Sequence, residues 1–89
     1  MASKLSKRSV LHTLTKAQIV DVADDLELGI RRSSAKGALV DHLSRSRRAS
    51  LERILDTLKR APLQRICEVH ALPTSGTKAR LVDRILDAR

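Results

Sequence analysis

Residues 72–78, Leu72-Pro73-Thr74-Ser75-Gly76-Thr77-Lys78, decide how this 89-residue chain folds. Pro73, Thr74, Ser75 and Gly76 make a turn, because proline removes a backbone donor and glycine accepts conformations closed to other residues. Thr77 is a good N-cap, so a helix begins at about Lys78. Its buried stripe is Leu81, Val82, Ile85 and Leu86, which recur at helical spacing. On the other side of the turn, Leu63, Ile66 and Cys67 form the inner face of a preceding helix. Pro62 is tolerated only in a first helical turn, which places that helix's start close to Arg60.

Working outward, the same order of helix, polar turn and helix occurs earlier in the chain. Leu14-Thr15-Lys16-Ala17-Gln18-Ile19 spells a helix start: Thr15 caps, Gln18 closes a capping box, and Leu14 staples against Ile19. Ile19, Val22, Ala23 and Leu26 point inward, Asp21, Asp24 and Asp25 point outward, and Gly29 ends the helix. A polar loop, Arg31-Arg32-Ser33-Ser34, leads to a helix over about 35–44 with Leu39, Val40 and Leu43 inside. The repeat is in register. Leu14, Ile19, Val22, Ala23 and Leu28 match Leu58, Leu63, Ile66, Cys67 and Leu72 at an offset of 44. Lys36, Leu39, Val40, Asp41 and Leu43 match Lys78, Leu81, Val82, Asp83 and Ile85 at an offset of 42. Between the copies, Arg45-Ser46-Arg47-Arg48 is a basic connector, and Ser50 caps a helix with Leu51, Ile54, Leu55 and Leu58 on one stripe. The expectation is an all-α chain of about five short helices, tandem units joined by a bridging helix, with no strand. Its parts are a flexible basic arm at 1–10, a first unit at 11–44, a connector and bridging helix at 45–57, and a second unit at 58–88.

Composition narrows the function. Lys plus Arg is 18 and Asp plus Glu is 10, a formal charge of +8, on a chain that is 42% apolar and has no aromatic residue. That apolar fraction excludes wholesale disorder, and no apolar run approaches the length of a membrane span. One cysteine makes no internal disulfide, which suits a reducing compartment and an intracellular protein. Without aromatic rings the chain cannot stack single-stranded bases in the usual way. Phosphate contacts by Lys and Arg need no such help.

Catalysis has little support. Cys67 sits at a core position whose counterpart is Ala23, so a small buried side chain accounts for both. His12, His42 and His70 lie far apart without a partner at metal-ligand spacing. Asp21, Asp24, Asp25 and Glu27 crowd one outer helix face, and Gly29, Gly37 and Gly76 are isolated, so no glycine-rich phosphate cradle exists. No enzyme, metal, cofactor or small-molecule substrate is expected. Charge says more. Residues 28–65 hold ten Lys or Arg (31, 32, 36, 45, 47, 48, 53, 59, 60, 65) against three acids, whereas residues 16–27 net −3. Cations also open both second helices, at Lys36 and at Lys78 with Arg80, where they oppose the helix dipole. An anionic ligand at the turn explains that choice.

Over 58–86 the sequence resembles the SAP family (scaffold attachment factor, acinus and PIAS), most specifically from Leu72 to Lys78. Residues 14–43 look like a degenerate second copy, with Arg31-Arg32-Ser33-Ser34 in place of the Pro-Thr-Ser-Gly turn. The resemblance implies a non-catalytic helix–extended turn–helix module for double-stranded DNA, often A/T-rich. It places the contacts at Thr74, Ser75, Gly76, Thr77, Lys78 and Arg80. From the charge pattern, Arg31, Arg32, Lys36, Arg45, Arg47 and Arg48 extend that footprint. The segment Ser46–Leu51 is faintly similar to a C-terminal piece of bacterial DNA-modification enzymes, which suggests tethering of a larger DNA-modification or chromatin protein. LEM-type domains share the topology and bind protein, so recruitment of an acidic partner is the alternative, and duplex RNA a third.

Overall fold

The computed structural model describes residues 5–89. Six helices carry the chain: α1 (Lys7–Thr13), α2 (Lys16–Asp25), α3 (Lys36–Arg45), α4 (Leu51–Thr57), α5 (Arg60–Val69) and α6 (Lys78–Ala88). The described residues contain no strand. The expected caps form. The Gln18 N–H donates to Thr15 Oγ1 at 3.2 Å and the Thr15 N–H to Gln18 Oε1 at 2.9 Å, the reciprocal box that opens α2. Ser50 accepts from the Arg53 N–H and Thr77 from the Arg80 N–H, opening α4 and α6. Leu39, Val40 and Leu43, the Leu51–Leu58 stripe, Leu63, Ile66 and Cys67, and Leu81, Val82 and Ile85 are all buried, while Leu86 is only partly so.

Two expectations are corrected. The flexible arm placed at 1–10 overlaps α1, because Ser6 and Ser9 make a capping box of their own and Leu5, Val10 and Leu11 are buried. Residues 1–4 of that arm lie outside the described residues. Helix α2 ends not at Gly29 but at Asp25, with Leu26 as C-cap followed by Glu27 in the left-handed region at φ 56°. The Leu28 N–H then returns to the Ala23 carbonyl at 2.8 Å and the Glu27 N–H to Asp24 at 3.1 Å. That is a Schellman closure. Helix α5 closes the same way through Ala71 at φ 58°, with the Leu72 N–H on the Cys67 carbonyl at 2.7 Å and the Ala71 N–H on Glu68 at 3.2 Å.

The sixth helix enlarges the repeat. At an offset of 44, Ser6, Val10, Leu11 and Leu14 stand where Ser50, Ile54, Leu55 and Leu58 stand, so α1 is the counterpart of α4. The packing respects this exchange. α3 packs on α1 and α2 as α6 packs on α4 and α5, and across the halves α1 meets α5 as α4 meets α2. Each half therefore lends its first helix to the other, the arrangement of an isologous, pseudo-two-fold pair within one chain. One apolar core runs through both halves, and no polar or charged residue is buried among the described residues. The Cα radius of gyration is 12.3 Å, close to the roughly 12 Å of a compact domain of this length.

Candidate nucleic-acid interface

The turn between α5 and α6 is held from behind. Gln64 of α5 donates its side-chain amide to the Thr74 carbonyl at 3.2 Å. Arg84 of α6 donates to the Pro73 carbonyl at 2.6 Å and the Ser75 carbonyl at 2.9 Å. Three consecutive carbonyls are thereby engaged by side chains of the scaffold. The amides of Ser75, Gly76 and Thr77 find no protein acceptor among the described residues. The result is an exposed turn offering backbone donors and the Thr74 and Ser75 hydroxyls at a helix N-terminus. Such a place favours an anion, because the unpaired N–H groups and the dipole act in the same direction.

Gly76 makes the turn possible at φ 115°. A Cβ there would stand 3.3 Å from Arg80 Cβ and 3.4 Å from Arg80 Cδ, so the aliphatic stem of Arg80 lies against the turn. The Arg80 side chain is exposed and makes no ion pair or hydrogen bond among the described residues. Thr77 serves its own helix as N-cap, its Oγ1 accepting from the Arg80 N–H at 3.3 Å.

Lys78 has a second role that the sequence argument lacked. Its Nζ donates to the Asp56 carbonyl at the end of α4 at 2.7 Å, and Lys36 donates to the His12 carbonyl at the end of α1 at 2.8 Å. Cations that oppose the dipoles of α3 and α6 thus serve the unpaired terminal carbonyls of α1 and α4. Each ammonium keeps two further donors. An intramolecular partner therefore joins the anionic ligand as a reason for the basic helix starts.

The remaining sequence-derived residues fall into two patches. Arg31, Arg32 and Lys36 surround the start of α3, while Arg45 lies in its last turn and Arg47 and Arg48 follow it. Ten residues of helix separate the patches by about 15 Å. Arg32 is paired with Asp24, and Arg45 with Asp41 at 3.4 Å, an aspartate that Arg8 also reaches at 3.1 Å. Arg31, Arg47 and Arg48 are exposed and without an ion pair among the described residues. Sequence reading missed Gln64 and Arg84, the two residues that shape the turn. The clue was the run of carbonyls after Pro73, which needs donors that only neighbouring helices can supply.

Cys67 is fully buried, and burial pushes its thiol up, an effect that nearby Arg84 partly opposes. Among the described residues no group of three or more His, Cys, Asp or Glu is placed to hold a metal. No described helix is long and apolar enough to cross a membrane.

The model of the SAP domain family matches residues 54–89. That segment is similar to SAP domains. The match opens within α4 and runs through α5, the turn and α6, so the turn described above corresponds to the SAP turn. SAP domains are a non-catalytic family and generally bind DNA. No curated protein and no solved structure matches the chain.

Proposed function

We propose that the chain is an intracellular double-stranded DNA-binding module that grips mainly the phosphate backbone and tethers a protein or larger DNA-processing enzyme to its target. The observation that carries this reading is the SAP turn itself: a family match over 54–89 whose turn holds its carbonyls inward and leaves its amides unpaired. Thr74, Ser75, Gly76, Thr77, Lys78 and Arg80 make the central contact. Arg31, Arg32, Lys36, Arg45, Arg47 and Arg48 add long-range attraction, and residues 6–45 act as a degenerate SAP-like unit beside it. Phosphate contacts carry no base information, so sequence preference is modest. Arginine entering a narrow A/T minor groove supplies what preference there is.

The competing reading, a module that recruits an acidic protein, calls for an exposed apolar groove. Val69, 54% exposed, is the one strongly exposed large apolar side chain among the described residues, and the apolar groove at Ala79, Val82 and Leu86 is edged by Glu52, Asp56 and Asp83 against Lys78 alone, which disfavours an acidic partner. The test is duplex titration of Arg80→Ala and Lys78→Ala. Arg80→Ala weakens binding roughly eightfold at 0.1 M salt, the worth of one phosphate contact, on A/T-rich and G/C-rich duplexes alike and with helicity unchanged. Wild-type affinity in both variants places the site elsewhere.

A further inference from the structure

Two grooves lie where the halves meet, and their charges differ. Where α4 meets α2, a groove of about 490 Å3 is walled by Asp21, Asp24 and Asp25, with Lys59 as the one cation in its lining. Where α1 meets α5, a groove of about 620 Å3 is walled by Ser9, His12, Lys36, Arg65, Val69 and His70. At the offset of 44, Asp21 corresponds to Arg65 and Asp25 to Val69, whereas Asp24 corresponds to another acid, Glu68. Two of the three acidic positions of the first groove are thus a cation and an apolar residue in the second, whose lining holds no carboxylate.

The basic groove is assembled from three elements and tied together. Lys36 of α3 is fixed by its bond to the His12 carbonyl of α1. His70, just past α5, joins the Ile66 carbonyl at 2.8 Å and Ser9 Oγ of α1 at 3.0 Å. The exposed cation Arg65 has only Glu68 near it, at 3.7 Å, a separation and exposure at which an ion pair holds little. Val69, the strongly exposed large apolar residue, shares the lining with these polar groups.

We infer that this groove is a second contact for the same duplex, separate from the SAP turn, in which Lys36, Arg65 and His12 meet a run of phosphates and Val69 lies against the sugar edge. The inference rests on the DNA-binding reading above. Charge complementarity selects the occupant, since a lining of cations, hydroxyl and one apolar side chain matches a sugar–phosphate strand, with alternating anionic and apolar parts. The acidic groove repels the same ligand and so turns its side of the molecule away from DNA.

Anisotropy titrations of a 25-base-pair duplex separate the two readings. The variants are the His12→Ala/Arg65→Ala double, Arg80→Ala and the triple combination, compared over a range of salt. Both H12 and R65 are exposed, so the double variant keeps the fold, and circular dichroism verifies it. The groove predicts that the double variant loses about eightfold or more at 0.1 M salt, with a log–log salt slope shallower by about one. It also predicts that this loss multiplies with that of Arg80→Ala in the triple variant. A double variant with wild-type affinity and slope, beside a weakened Arg80→Ala, overturns the groove and leaves the SAP-turn reading standing. Wild-type protein that binds no duplex overturns both.

Discussion

Gly76 is the residue on which the SAP turn hinges. Its φ of 115° lies in a region that an L side chain enters only with strain, and a Cβ would also press on the stem of Arg80 at 3.3 Å. Gly76→Ala is expected to cost about 1–3 kcal/mol, read as a lower midpoint in chemical denaturation, and to weaken duplex binding as Arg80 is displaced. Glu27 and Ala71 show the opposite situation. Both occupy the left-handed position of a Schellman closure without being glycine. Ala71→Gly relieves that strain and is expected to raise stability by about 0.5–1 kcal/mol, after the extra freedom glycine gains in the unfolded chain. A fall in stability would contradict the backbone assignment at this residue. Cys67 reports on the core. Its thiol is pushed up by burial, so the folded chain holds that proton more tightly than the unfolded chain does. Stability is therefore complete below the ordinary thiol pKa of about 8.5 and declines as pH rises beyond it.

At the scale of elements, the two second helices differ in how well they start. Helix α6 has Thr77 as N-cap and Ala79 in its first turn, whereas α3 has Ala35 with no side-chain cap and Gly37 with open space around its missing Cβ. Ala35→Thr and Gly37→Ala copy the better half into the weaker one. They are expected to add roughly 1 and 0.5–1 kcal/mol, each visible as a melting shift of several degrees. The caps at Thr15, Ser50 and Thr77 were legible in the sequence because each couples a hydroxyl to a following apolar stripe. Helix α1 was not, since only Val10 and Leu11 of its seven residues are buried and Lys7 and Arg8 gave it the look of a basic arm. The offset of 44 that pairs Leu14 with Leu58 extends back to Ser6 and Ser50, and following it would have found that helix. The turn residues were legible, but their supports were not. Arg84 acts across 9 and 11 residues and Lys78 across 22, and such contacts exist only once helices are packed.

At the scale of the molecule, each half depends on the helix it borrows. Leu11 is fully buried in α1, the helix that packs on both α3 and α5. Leu11→Ala is expected to cost about 2–5 kcal/mol, a large share of the stability of a domain this small. The loss should appear equally in the SAP half: alkylation of buried Cys67, which requires opening, should quicken by the factor that the equilibrium melt gives. Unchanged protection of Cys67 would mean that the halves unfold independently. The segregation of charge, read correctly from the sequence as a surplus over residues 28–65 against an acidic α2, acquires a direction in the fold. Of two grooves where the halves meet, one is walled by Asp21, Asp24 and Asp25 and the other by Lys36 and Arg65.

The most direct test of the account is the salt dependence of wild-type binding to an A/T-rich duplex, measured by anisotropy beside a G/C-rich duplex of equal length. With about five phosphates engaged, affinity should fall by a few hundredfold between roughly 50 and 200 mM salt, with only a small gap between the two sequences. Absence of binding at the lowest salt, or an affinity indifferent to salt, would contradict it.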